Sequence, residues 1–317
     1  GLKIAIDSAN TLGISVDYDV FDTQRNVQTT KKILAGNDFS KYNTVIGPLI
    51  SSNVIATAKE LKGINIPVIS PLTNTDVILY RNLFQARPSD EMLKNKLKEY
   101  LVQYAIGKHV IIITDNNKPE LKKEFTVLLP SATVLIPNNE KNRISKMEFI
   151  KQLKQGVENV VVLAAGYQGL IDGAVLGYSV ETKTNQITMF GLENYEDMEL
   201  SNTKLAQLNY IYPSIFKENN STNSFIDTYY SIHNITPNAH ASRGFDITLD
   251  VILRQASASG LYESAMKNGQ TVMTENKFDY SKKFLAGFYN DAIYILQYQE
   301  DLSIKELNFK LLNKEDK

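Results

Sequence analysis

Short runs rich in Val, Ile and Leu alternate with segments of helical apolar spacing through the first two thirds of the chain, and this alternation restricts the fold more than any other feature. "NTVIGP" leads to a helix over Ser51–Leu61, "IPVISP" to one over Asp90–Tyr104, and "HVIIIT" to one over Pro119–Leu129. "ATVLIP", a helix near Ser145–Gln155, "NVVVLAA", a helix from about Gln168, and "QITMFG" continue the cycle. Apolar strands separated by amphipathic helices predict parallel sheets covered on both faces and joined by right-handed crossovers, a doubly wound α/β fold. Earlier, "ISVDYDVFD" alternates so that Val16, Tyr18 and Val20 share one face of a predicted strand, followed by a helix around Val27–Leu34.

After Leu208 the rhythm changes. "NYIYPSIF" gives way to the polar "KENNSTN", then to helices over Ser224–His233 and Ala239–Ala258. The closing "KKFLAGFYNDAIYILQYQ" sets Phe284, Phe288, Ile293, Ile295 and Tyr298 in strand-like segments, so the chain returns to sheets that it built earlier. At 317 residues it exceeds the size at which one core stops growing. The expectation is two lobes interleaved in sequence, residues 1–86 with 212–283 and residues 87–211 with 284–317.

Composition narrows the function. Thirty-four basic against 35 acidic residues leave a net charge of -1, which gives no electrostatic basis for binding nucleic acid or an anionic membrane. The absence of cysteine excludes disulfides, thiolate metal sites and cysteine nucleophiles. No stretch approaches the roughly 18 to 20 apolar residues of a membrane span. Gly1 runs directly into "LKIAIDSANTLG", whose Leu2, Ile6, Ala9 and Leu12 suit a helix already in progress, so a preceding segment is expected. There is no GxSxG elbow, GxxxxGK[ST] loop or HExxH pair, and His109, His233 and His240 lie far apart. Gly166, Gly169 and Gly173 of "GYQGLIDG" lack dinucleotide-loop spacing and read as a tight turn. The sequence therefore predicts no catalytic residue, no metal-ligand set and no cofactor.

Open parallel sheets bind ligands beyond the carboxyl ends of their strands. After Ile46, Gly47–Pro48 brings Ser51, Ser52 and Asn53 to a helix start, where backbone N–H groups and the dipole favour an anion. Ser52 or Asn53 can equally serve as that helix's cap. After Ile69, Ser70, Thr73 and Asn74 offer hydrogen-bonding groups at a neighbouring strand end. Later strands end in Gly166–Tyr167, with Gln168 beginning the next helix, and in Gly191, Glu193 and Asn194. Tyr167 can cover a ligand with its ring and Glu193 can pair with an ammonium group. Their plainer readings are a surface tyrosine and a solvated carboxylate.

"VIGPLISSN", "IPVISPLTNT", "NLFQARPSD", "VVVLAAGYQG" and "MFGLE", followed by "RGFDITLDVIL", resemble the type I periplasmic binding proteins in order and spacing, especially the leucine/isoleucine/valine-binding branch. The resemblance covers nearly the whole chain. It implies two α/β lobes joined by three crossing strands, "LFQARPS" and "YIYPSIF" being two of them, that close over a small polar solute such as an amino acid. Ser51 or Ser52 and the backbone near Thr73–Asn74 would hold a carboxylate. Carbonyls near Ser70–Leu72 together with Glu193 would hold the ammonium, and Tyr167 would close from the second lobe.

Two departures stand out. Asn117 and Lys118 replace the aromatic residue that related binders carry after their "ITD"-like strand, and the family's first strand is missing from lobe one. The closing "GFYNDAIYILQYQEDLSIKEL" is more similar to versions of the domain attached to lysin-motif modules or found in envelope lipoproteins. The resemblance thus implies a periplasmic or envelope location and a non-catalytic receptor for transport or sensing, with a membrane permease or a cell-wall enzyme as partner. The competing class is an envelope scaffold or regulator of cell-wall metabolism that binds a protein and has lost its small ligand.

Overall fold

The structure, a computed structural model, describes residues 1–74, 80–137, 143–192, 201–218, 223–282 and 286–308. The chain divides into two compact units, residues 1–92 with 215–293 and residues 93–214 with 294–317. It therefore passes from one unit to the other after Met92, after Ser214 and after Ile293.

The first unit opens with helices α1 (Leu2–Thr11) and α2 (Val27–Gly36), strand β1 (Val45–Ile46), helix α3 (Ser51–Leu61) and strands β2 (Val68–Ser70) and β3 (Leu83–Gln85). Helix α4 (Asp90–Tyr104) contains the first passage. The second unit continues with β4 (His109–Thr114), α5 (Pro119–Leu128), β5 (Thr133–Leu135), α6 (Lys146–Ile150), β6 (Asn159–Ala164), α7 (Gln168–Tyr178), β7 (Ile187–Gly191), α8 (Asn202–Gln207) and β8 (Ile211–Ser214). The chain then returns to the first unit through α9 (Ser224–His233), α10 (Ala239–Ala256), α11 (Leu261–Lys267), β9 (Thr271–Val272), β10 (Lys277–Phe278), β11 (Tyr280–Lys282) and β12 (Phe288–Asn290). It ends in the second with β13 (Tyr294–Tyr298) and β14 (Ile304–Glu306).

The first unit's sheet has the order β1-β2-β3-β12-β11, parallel except for β11 at its edge. Strand alternation divides its core between two faces. Ile69, Phe84 and Phe288 meet Ile247 and Val251 of α10 and Leu261 of α11. Val68, Leu83 and Tyr289 meet Leu34 of α2 and Val54, Ala58 and Leu61 of α3. Phe84 and Phe288 stack with ring centroids 4.3 Å apart, and Tyr280 meets Phe84 edge-on. Gly287 admits no side chain, since a Cβ there would lie 2.1 Å from the Leu83 carbonyl oxygen. A buried glycine is thus what lets the chain close on β3 before β12.

The second unit's sheet runs β14-β13-β8-β7-β6-β4-β5, with β13 and β14 antiparallel to their neighbours. The consecutive apolar runs of β4 and β6 are buried throughout except at His109, as expected for strands covered on both faces. Ile111, Ile113, Val161, Leu163 and Met189 share one core cluster with Leu170, Ala174 and Val175 of α7.

Three expectations change. Residues 14–22 enter no ladder and are tied by side chains instead, Phe21 against Phe39 and Asp19 to Lys41 and Tyr42. Alternation set the pattern, but a strand requires a pairing partner. The helix expected near Ser145–Gln155 stops at Ile150, closed at its start by a Ser145–Glu148 capping box and followed by Gly156 at φ +74°. Hairpin β9–β10 and helix α11 were not anticipated, because two-residue strands carry almost no periodic signal.

Phe84→Ala should cost about 3–5 kcal/mol. Hydrogen exchange should show lost protection at the β2 and β3 amides while those of β4 and β6 keep theirs; equal loss in both sheets would contradict this division of the core.

Candidate functional site

In the first unit, β1 ends at Ile46, and Gly47, at φ +99°, turns the chain through a cis Gly47–Pro48 bond toward α3. Ile50 occupies the N-cap position and no side chain caps the helix, so neither Ser52 nor Asn53 serves as its cap. The N-terminal N–H groups of α3 are therefore not used by a cap. The Ser51 hydroxyl lies 3.2 Å from that of Thr73, to which the Ser70 hydroxyl donates at 2.8 Å. These three residues from two strand ends form one hydroxyl cluster.

Leu72 is half-buried beside it. Asn74 turns aside, its amide donating to Asp90 at 2.9 Å and its carbonyl accepting from the Asp90 N–H. Asn53 is fully buried, with a side-chain nitrogen that has no partner among the described residues, and Ser52 makes only a 3.5 Å approach to it.

The loop after β2 is held from below by residues that pattern reading did not select. Gln85 donates to the Thr73 carbonyl at 3.1 Å, and Arg243 of α10 donates through Nε to the Pro71 carbonyl at 2.8 Å. The Arg243 Nη1 donates to Asn276 at 2.6 Å, whose amide donates in turn to Asp246. Asp246 also accepts the backbone N–H groups of Thr274, Glu275 and Asn276. One turn on, Asp250 accepts from Arg254 Nε at 3.0 Å and from the Thr271 hydroxyl at 2.5 Å. Arg254 reaches the carbonyls of Gly269 and Phe278.

Positions 243, 246, 250 and 254 follow helical spacing, so one face of α10 carries four buried charges. That spacing within "SRGFDITLDVILR" was the available signal, but charges at those intervals usually mark a solvated face. Burial lowers Arg243 to about 10, with repulsion from Arg87 adding to it and Tyr280 and Asp246 opposing, so the guanidinium stays charged at neutral pH. Burial also pushes Asp250 up to about 6, against the pull of Arg254 and Thr271.

In the second unit, Tyr167 precedes α7 and is 41% exposed, its ring folded over Gly169, and Gln168 is exposed. The buried carboxylate of Asp115, just past β4, accepts from the N–H groups of Gly166 at 2.6 Å and Tyr167 at 2.8 Å. Its other oxygen accepts from the Asn117 N–H at 2.8 Å. The aliphatic stem of Lys118 lies across Gly166, where a Cβ would come within 2.8 Å of it. Asp115 was missed because a carboxylate ending a strand carries no mark that distinguishes a backbone anchor from a surface residue. Glu193 and Asn194 lie outside the described residues. Among the described residues no group of three or more His, Asp or Glu side chains can hold a metal. None of the described helices is long and apolar enough to cross a membrane.

Solved structures share this architecture over almost the whole chain. A branched-chain amino acid transporter of the ABC type from Rhodopseudomonas palustris superposes with a TM-score of 0.59 at 13% identity, covering 97% of this chain and 90% of that one. A branched-chain amino acid ABC transporter periplasmic ligand-binding protein from Burkholderia xenovorans gives 0.58 at 11%, covering 97% and 88%. An ABC transporter substrate-binding protein from Desulfitobacterium hafniense, solved in complex with Leu, gives 0.52 at 15%, covering 96% and 94%. The fold is that of the type I periplasmic binding proteins. At these identities the likeness establishes the fold alone. No family model matches the sequence, and no curated protein does.

Arg243→Gln should destabilise the first unit by about 1–3 kcal/mol, because the Pro71 carbonyl loses its charged donor. Amide exchange at 70–74 should rise with it, and an unchanged denaturation midpoint would remove Arg243 from this role.

Asp250 supplies a pH dependence. Its folded pKa lies above its ordinary value, so its contribution to stability is complete below about pH 4 and is lost as pH rises through about 6. The fall in stability between those pH values should be smaller in Asp250→Asn than in the parent, as read by urea unfolding at a series of pH values.

Proposed function

We propose that the chain is the non-catalytic ligand-binding domain of an envelope receptor for an amino acid or a similarly small polar solute. The observation that carries this reading is the hydroxyl cluster of Ser51, Ser70 and Thr73 beside the uncapped start of α3. Hydroxyls both donate and accept, and the helix start favours a negative group, so a carboxylate finds donors there. In this reading Ser51 or Ser52 and the backbone at Thr73–Asn74 take the carboxylate, while carbonyls around Ser70–Leu72 take the ammonium. Tyr167 and Gln168 are the second unit's candidates. The solved structures of like fold include one with Leu bound, which supports an amino acid as the first ligand class to try. The reading implies an ABC-type permease as partner and an extracytoplasmic location.

The energetics are sufficient. Micromolar affinity requires about -8 kcal/mol. Hydrogen bonds to charged groups contribute about 1.5–3 kcal/mol each, so a few of them reach that figure after ordering costs are subtracted.

Thermal-shift and calorimetric titration with the proteinogenic amino acids checks the proposal. At least one should stabilise the folded protein, by about 2.7 kcal/mol at a hundredfold excess over its Kd. Ser51→Ala should then weaken that ligand about tenfold, the equivalent of about 1.4 kcal/mol. A well-folded protein that no amino acid stabilises would leave the envelope scaffold as the better account.

A further inference from the structure

At the opposite end of the second unit's sheet, where β6 and β7 begin, lies a cavity of about 650 Å³. We propose that it is a second binding site, for a neutral, hydroxyl-rich ligand of the saccharide class. Its volume falls within the range of small-molecule pockets.

Four exposed side chains on its wall, Gln186, Thr203, Gln207 and Glu300, make no hydrogen bond or ion pair to the described residues and are open to a ligand. Two amides, a hydroxyl and a carboxylate together supply donors and acceptors in the mixture that sugar hydroxyls require, since each hydroxyl does both.

The remaining chemistry excludes other classes. Among the described residues no Lys or Arg lines the cavity, so a phosphate or carboxylate finds no counter-charge on this wall. The carboxylate of Glu158, which also lines it, is already committed. It accepts from Tyr104 at 2.6 Å and Thr188 at 2.7 Å, and pairs with Lys108 at 2.9 Å. Glu158 thereby forms a fixed, charge-compensated part of the wall.

Leu302 gives the cavity an exposed apolar contact for the C–H face of a sugar ring, with Ile187 and Ala206 buried behind the wall. Leu302 sits at φ +66°, a left-handed conformation costly for leucine, in the turn between β13 and β14, and its side chain stays half exposed on this wall. A smaller recess of about 230 Å³ shares Asn185 and Gln186 with the cavity and leaves room for a second ring. All these residues belong to the second unit, so the site does not depend on the amino-acid reading.

Amide-resolved NMR titration of the full chain with maltose, cellobiose and chitobiose tests the proposal, with spermidine and inorganic phosphate as counter-probes. At least one disaccharide should give saturable shifts confined to residues 182–188, 203–209 and 300–302, while phosphate gives none. The double variant Gln186→Ala, Gln207→Ala should weaken that disaccharide about tenfold without altering the spectrum elsewhere, corresponding to two hydrogen bonds lost. Ser51→Ala should leave it unchanged. The proposal is overturned if none of the three saccharides produces saturable shifts there, or if only spermidine binds and Glu300→Gln abolishes that response.

Discussion

The hydrogen bond from Arg243 to the Pro71 carbonyl, spanning 172 positions of sequence, fixes the backbone on which the first unit's candidate groups are mounted. Loops after parallel strands have no ladder of their own, so their carbonyls need donors from elsewhere. Here the donor is a buried cation. Its position is set in turn by Asn276 and Asp246, and Asp246 gathers the turn before β10 through three backbone N–H groups. The loop, the long helix and the hairpin are therefore one hydrogen-bonded assembly. A change at Asn276 or Asp246 acts on the loop through Arg243, without touching any group that meets solvent there.

Such an arrangement is costly in isolation, because a buried charge is tolerated only when its donors or acceptors are satisfied. Arg243 Nη2 and Arg254 Nη1 have no partner among the described residues, and Asp250 is pushed toward its neutral form by burial. A hydrophobic face on α10 would hold the hairpin at less cost but could not reach Pro71. What the charges supply is direction: a guanidinium has several donors in a fixed plane and can tie a loop, a side chain and a strand at once. Phe245, Ile247 and Val251 on the neighbouring faces provide the packing that holds this polar stripe dry.

The fold was largely legible because its signal is repetitive. The runs at β4, β6 and β7 are apolar at almost every position, and only a strand covered on both faces demands that. Sequence reading lost accuracy where structure depends on partners distant along the chain. Val16, Tyr18 and Val20 alternate like a strand, yet nothing local specifies whether a neighbour exists to pair with them. Within the candidate site, Ser51, Ser70 and Thr73 could be selected because strand ends and helix starts have local signatures, and their hydroxyls lie together. Arg243, Gln85 and Asp115 could not, because each acts on the backbone of a segment that sequence does not place beside it. Asn53 shows the converse: its position at the start of a helix selected it, whereas the fold encloses it completely.

The two units treat their helix starts differently, and the difference bears on where a carboxylate can be held. Before α7, the buried Asp115 carboxylate accepts from the Gly166 and Tyr167 N–H groups that lead into the helix, although no side chain caps α7 itself. A ligand anion there would meet a like charge. At α3 no side chain takes this position, and the neighbouring hydroxyls of Ser51, Ser70 and Thr73 bond among themselves without a formal charge. Hydroxyl-to-hydroxyl bonds exchange readily for bonds to an incoming carboxylate, because each oxygen retains both roles. In the proposed reading, this asymmetry makes the start of α3 the place in the first unit where an anion would be held.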